Sequence, residues 1–246
     1  MTAWLFDLGN TRLKCAPLGP DGRPGEVLAL AHRDADVAAA LARALPARIE
    51  VAYLASVANE PLRVAVLQAL AARCTRISIA RTQAAFGGVR IAYAQPNRLG
   101  VDRFLALLAV HARGADAALV CGVGTALTLD LLDADGRHHG GRVAPSPMLM
   151  REALHARAPQ LPETGGQYHA FAADTVDALA SGCDGAALAL IADSREAARV
   201  QLGHAPRLLL HGGGAPVLLD RVPNATLVPS LVLEGLAIWA AVETAT

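Results

Sequence analysis

Apolar residues cluster on alternate positions at the start of the chain, and this pattern predicts strand, turn and strand over 3 to 18, with a third strand over 27–31. A helix is predicted over 35–45 and a strand over 51–56. Next comes a helix signalled at both levels: Asn59 is placed to cap it, Pro61 sits in its first turn, and Leu62, Val66, Leu67 and Leu70 recur at helical spacing until Cys74. Strands over 76–80 and 89–93 lead to the loop Pro96-Asn97-Arg98-Leu99-Gly100. A helix follows it, with Phe104, Leu107, Leu108 and His111 on one face. Long helices are expected over 175–202 and 231–244, with a short strand over 207–210 running into Gly212-Gly213-Gly214.

The opening pattern returns half-way along. Residues 119–130 again read as strand, glycine turn and strand. Setting Gly9 on Gly124 places Phe6 on Cys121, Asp7 on Gly122, Asn10 on Thr125 and Leu13 on Thr128. Asp133-Ala134-Asp135-Gly136 then forms a turn, as Gly19-Pro20-Asp21-Gly22 does in the first copy. The repeat implies a duplicated pair of α/β domains, 1–114 and 115–246, with a cleft between the copies.

Composition narrows the partners. The 22 basic and 22 acidic residues cancel, so the chain lacks the charge excess that nucleic-acid or anionic-membrane binding leaves. Charged residues make up 18%, below the roughly 25% of average chains, which points to an oligomer covering part of the apolar surface. The start has no basic n-region and reaches Asp7 early, so a signal peptide is not expected. Glycines and polar residues interrupt the most apolar stretch, 117–132, short of the ~20 apolar residues of a membrane span. Cys15, Cys74, Cys121 and Cys183 are scattered among apolar neighbours and read as buried thiols of a reducing, cytoplasmic location.

Two segments carry candidate chemistry. In Asp7-Leu8-Gly9-Asn10-Thr11-Arg12-Leu13-Lys14 a strand delivers Asp7 to a turn. Gly9 is expected there with positive φ, Asn10 and Thr11 offer N–H groups and a hydroxyl to phosphate oxygens, and Lys14 adds a positive charge. An ordinary hairpin with a solvated turn remains the alternative. In Tyr93 to Arg103, Asp102 and Arg103 open a helix after Gly100. A helix-dipole role explains Asp102 but not Arg103; an acceptor site, with Asp102 taking a hydroxyl proton and Arg103 stabilising charge, explains both.

Taken in order, D-x-G-N-T-x-x-K at 7–14, Y-x-x-P-x-x-L-G-x-D-R at 93–103, G-T-A-x-T-x-D at 124–130, G-G-R-V-A-P at 140–145 and D-T-x-x-A-x-x-S-G at 174–182 resemble a type III pantothenate kinase. That family lies within the acetate and sugar kinase, heat-shock 70 and actin superfamily. The resemblance implies two actin-like (ribonuclease H-like) lobes with mixed sheets flanked by helices, working as a homodimer with the acceptor pocket at or near the subunit interface. It implies ATP-dependent phosphorylation of pantothenate to 4′-phosphopantothenate, the first step towards coenzyme A. Asp7, Leu8, Gly9, Asn10, Thr11, Arg12, Leu13 and Lys14, with Thr125 of the second hairpin, would bind ATP, and Asp7 would reach Mg²⁺ directly or through water. Tyr93, Gly100, Val101, Asp102, Arg103 and Thr175 would line the pantothenate pocket, with Asp102 as general base.

One position departs from the pattern. The family's second hairpin reads D-x-G-T, with an Asp that helps hold a monovalent cation, K⁺ or NH₄⁺, and here that position is Gly122. Either backbone and water complete the site or cation dependence is altered. The loss also raises the alternative of a nucleotide-binding regulatory or accessory protein on the same fold. Other features read as structural. Gly122-Val123-Gly124 lacks the third glycine of a dinucleotide fingerprint, and His138 and His139 are expected in a polar turn. His155, His169, His204 and His211 lack metal-ligand spacing. Gly212-Gly213-Gly214 either admits adenosine or turns the chain, and Gly165-Gly166-Gln167-Tyr168 lies in a loop that is a flap or a dimer contact.

Overall fold

The computed structural model describes residues 2–31, 37–114 and 116–244. They form two compact units: Met1–Gly114 with Asp135–Arg137 and Ser230–Thr246, and Ala115–Ala134 with His138–Pro229.

In the first unit β1 (Ala3–Leu8), β2 (Arg12–Pro17) and β3 (Leu28–Ala31) form an antiparallel meander. Then α1 (Val37–Ala44) leads to β4 (Ile49–Ser56), α2 (Glu60–Ala71) and β5 (Cys74–Ile79), and β4 and β5 run parallel to β1. The sheet order is β3-β2-β1-β4-β5. The first residues of the helix expected over 35–45 lie outside the described residues. Asn59 caps α2 as its side chain predicts, accepting from Leu62 N–H at 3.1 Å. Cys74, expected at the end of that helix, instead opens β5. The strand expected over 89–93 shrinks to a small hairpin, β6 (Ala85–Phe86) and β7 (Val89–Arg90). A short 3₁₀ turn, Pro96–Arg98, precedes α3 (Val101–Ala112).

The second unit repeats this plan. Its β8 (Ala118–Val123), β9 (Ala126–Leu132) and β10 (His138–Pro145) are antiparallel. After α4 (Pro147–Arg157) and α5 (Thr175–Leu202), β11 (Arg207–His211) joins parallel to β8. Then α6 (Ala215–Leu219) and β12 (Ala225–Leu227) complete the order β10-β9-β8-β11-β12. The sequence pattern missed α4 because none of its residues is buried, so it has no apolar stripe to detect.

The last helix, α7 (Leu231–Thr244), corrects the expected division at 115–246, because it packs along α3 and on β1 and β4 of the first unit. Leu231, Val232, Leu233, Leu236, Ala237, Trp239 and Ala240 are all buried. A helix apolar on so many sides must be covered by more than one element, and here a sheet and a helix cover it. Gly235 makes the approach to α3 possible: a Cβ at that position would collide with the Leu105 carbonyl. Its partner α3 is buried from Arg103 to Val110, far beyond the single face that its spacing predicts.

One correction concerns membranes. By length and composition α5 is apolar enough to cross one, contrary to the sequence expectation. Its Ala187, Ile191 and Ala198 pack into the core of the second unit with Leu119, Leu129 and Leu210.

Candidate active site

Strand alternation sets the first hairpin. Phe6 and Leu8 face a core shared with Leu54, Val66 and Leu70, so Asp7 projects from the other face of β1. Lys14 stands directly opposite it on β2. Between Leu8 and Leu13 the chain reverses through Gly9, Asn10, Thr11 and Arg12, closed by Gly9 N–H donating to Arg12 O at 3.1 Å. Gly9 does not have the positive φ expected of it. Its need is close approach, since a Cβ there would lie 3.3 Å from Arg12 O. Asn10 and Arg12 are exposed and Thr11 half-buried, whereas the side chains of Leu8 and Leu13 are fully buried in the core. Only the backbone of those two leucines is open to a phosphate role.

Asp102 faces Asp7. It sits in the first turn of α3, its Oδ1 accepting from Arg103 N–H at 2.8 Å. A side chain on Gly100 would crowd that oxygen, at 2.6 Å from a Cβ. Burial, reinforced by the Asp102 charge and opposed by Lys14, pushes the Asp7 carboxyl from its ordinary 3.8 up to about 7. Asp7 and Asp102 offer hard carboxylate oxygens of the kind that a Mg²⁺ arriving with nucleotide phosphates takes, with Lys14 and Arg103 beside them. One or two carboxylates are what such an ion normally takes from a protein. No cluster of three or more metal-ligating side chains exists among the described residues.

Arg103 is buried at 9% exposure. Its Nη1 donates to Tyr93 Oη at 3.3 Å, and its guanidinium lies 5.9 Å from the Tyr93 ring centroid. Val101 is buried, and Leu99 O accepts from Thr82 Oγ1 at 2.8 Å, fixing the loop that delivers Gly100 to α3. The first unit therefore gathers Asp7, Lys14, Asp102, Arg103 and Tyr93 from β1, β2, α3 and the loop before it.

The second hairpin differs in length. Val123 pairs with Leu127, leaving Gly124, Thr125 and Ala126 in the turn, one residue fewer than in the first copy. The residue opposite Gly122 is Thr128, so Thr128 corresponds to Lys14, not to Leu13 as an ungapped alignment implies. Thr125 is half-buried, and its carbonyl accepts from the N–H of Ser146, the N-cap of α4. Thr175 is the exposed first residue of α5, beside its cap Asp174.

Residues 4–196 match the family model of type III pantothenate kinase. Proteins named type III pantothenate kinase from Stenotrophomonas maltophilia and Xanthomonas campestris pv. campestris are each 58% identical, with 98% of this chain and 98% of theirs covered. The chain belongs to the type III pantothenate kinase family. Solved structures agree in fold. A Campylobacter jejuni protein assigned to the Baf family of transcriptional activators superposes at TM-score 0.65 with 19% identity, covering 99% of this chain and 100% of its own. A Sinorhizobium meliloti protein assigned as a 2-dehydro-3-deoxygalactonokinase gives 0.55 with 14% identity, covering 98% and 99%. Both lobes are thus of the actin-like kind expected.

Within the type III pantothenate kinase frame, two features escaped the sequence. His138, expected in a polar turn, is buried in β10, with Nε2 2.9 Å from Asp130 Oδ1. His139 meets Asp133 Oδ2 at 2.7 Å. The other is His211, which ends β11 directly opposite Gly122. Its only sequence signal was its place before Gly212-Gly213-Gly214.

Proposed function

We propose that this chain transfers the γ-phosphoryl group of ATP to the primary hydroxyl of pantothenate, giving 4′-phosphopantothenate, the first step of coenzyme A biosynthesis. The observation that carries the reading is the meeting of Asp7, Lys14 and Asp102, next to the Arg103–Tyr93 pair, in a chain of this family.

The residues divide the work. The turn from Gly9 to Arg12 offers backbone N–H groups, the Asn10 amide and the Thr11 hydroxyl to phosphate oxygens, and Lys14 adds a compact positive charge. Thr125 does the same in the second hairpin. Asp7 is the residue that would hold Mg²⁺, which supplies charge neutralisation along the polyphosphate. Asp102 orients the acceptor hydroxyl for in-line attack. A carboxylate is too weak a base to ionise an alcohol beforehand, so Asp102 takes the proton late, as the new O–P bond forms. Arg103, held by Tyr93 and carried by the Gly100-Val101 turn, presents donors to the acceptor, and Thr175 is assigned to pantothenate binding by the family pattern alone. The monovalent cation implied by the resemblance finds no carboxylate at Gly122.

We also assign a cytoplasmic location and a homodimer. Val143, Met148, Leu154 and the wholly exposed Phe171 leave apolar surface on the second unit that a second copy would cover. The test of function is ADP release by purified protein with ATP, Mg²⁺ and pantothenate, with the product identified by mass. Nucleotide binding without any ADP release favours the accessory-protein alternative and removes the kinase reading.

A further inference from the structure

The register of the two sheets allows the hairpins to be compared position by position. In the first unit Asp7 is flanked by Lys14 on β2 and Ala55 on β4. The corresponding triplet in the second unit is Gly122, flanked by Thr128 on β9 and His211 on β11. Where the first copy has a carboxylate beside a methyl group, the second has a bare Cα beside an imidazole.

The space above Gly122 is filled. A Cβ built there would lie 2.6 Å from Thr128 Oγ1, 2.9 Å from His211 Nε2 and 3.2 Å from His211 Cε1. Polar atoms from both neighbouring strands converge on the point where a carboxylate stem would begin. The histidine is also anchored. β11 is paired along its length with β8, and the turn that follows is clamped, with Gly214 N–H donating to Val123 O at 2.9 Å. Gly212 there has φ +93°, and a side chain would drive it into the Val123 backbone. His211 is therefore set at the carboxyl ends of parallel strands beside the Gly124-Thr125 turn, where open α/β sheets place their ligands.

A glycine beside an imidazole and a hydroxyl offers no carboxylate to a cation, and it replaces an ion's attraction with N–H and O–H donors fixed by the strands that carry them. We propose that His211, with Thr128, stands in for the carboxylate-held monovalent cation at the second hairpin. Phosphoryl transfer by this chain then proceeds independently of K⁺ or NH₄⁺. The inference rests on the kinase reading above for the identity of the polyphosphate.

The test compares K⁺, NH₄⁺, Na⁺ and tetramethylammonium as the sole monovalent cation at matched ionic strength. It reads both turnover and the Kd of MgATP by titration calorimetry. Wild-type turnover and Kd should vary by no more than about twofold across the four salts; a K⁺ or NH₄⁺ advantage of about tenfold overturns the proposal. H211A should weaken MgATP by about tenfold or more in every salt, the effect of losing one donor to a charged group, and unchanged affinity overturns the donor role. The triple variant G122D/T128A/H211A clears both groups that crowd a side chain at 122 and should acquire tighter MgATP binding in K⁺ than in tetramethylammonium. A salt-blind triple variant that retains the wild-type melting temperature counts against the assignment. Because the calorimetry needs no turnover, a protein that binds MgATP without phosphorylating pantothenate sinks the function and still decides the cation question.

Discussion

Asp102→Asn should separate catalysis from stability in opposite directions. The Asp7 carboxyl ionises near 3.8 in the unfolded chain and near 7 in the folded one. The folded state therefore holds an extra proton between those values, and stability falls as pH rises towards 7 and levels off above it. At about 1.4 kcal/mol per pH unit, the difference amounts to about 4 kcal/mol held against ionised Asp7. Burial causes most of the rise and the Asp102 charge is next, so removing that charge should return on the order of 1 kcal/mol at pH 8. The variant also loses the favourable charge at the start of α3, about 0.3–1 kcal/mol at either pH. At pH 5 Asp7 is protonated and only that loss remains, so for a chain of this size the variant's melting shift should lie about 2–4 °C higher at pH 8 than at pH 5. Scanning fluorimetry of the nucleotide-free variant and wild type at both pH values gives the comparison, and coupled ADP release should show kcat reduced by about 10²–10³-fold. A melting shift identical at pH 5 and pH 8 would refute the electrostatic coupling of Asp7 and Asp102. Near-normal kcat would remove Asp102 as base.

Three other substitutions test separate parts of the structure. Tyr93→Phe removes the hydroxyl that accepts from Arg103 at 3.3 Å. The pantothenate KM should rise about fivefold, from loss of about 1 kcal/mol of positioning, with the ATP KM unchanged. Steady-state kinetics with each substrate varied would show a misassignment as a rise in the ATP KM instead. His138→Ala removes the imidazole that lies 2.9 Å from the buried Asp130 Oδ1 and should cost about 1–3 kcal/mol in urea denaturation, whereas wild-type stability would mean that the contact does not hold the second unit together. Gly235→Ala forces α7 off the Leu105 carbonyl and should cost about 3 kcal/mol or prevent folding of the first unit. Wild-type stability there would show that the two helices are not in the contact described.

Much of this was written in local sequence. The Asn59 cap, the meander of 3–17 and its echo at 118–132 follow from turn chemistry and from side-chain alternation, which act between neighbours along the chain. The motif residues Asp7, Lys14, Asp102, Arg103 and Tyr93 could all be named before any fold was known. What the sequence did not determine is what depends on register across strands and on burial. An ungapped repeat hides that the second turn is one residue shorter, so only the paired strands reveal that Thr128 matches Lys14. Local pattern assigned α7 to the half of the chain in which it lies, while packing against α3 returned it to the other. Gly122 alone reads as a missing ligand. The neighbouring strand, 89 residues further along, puts His211 in its place, because a parallel sheet sets side by side residues that sequence keeps far apart.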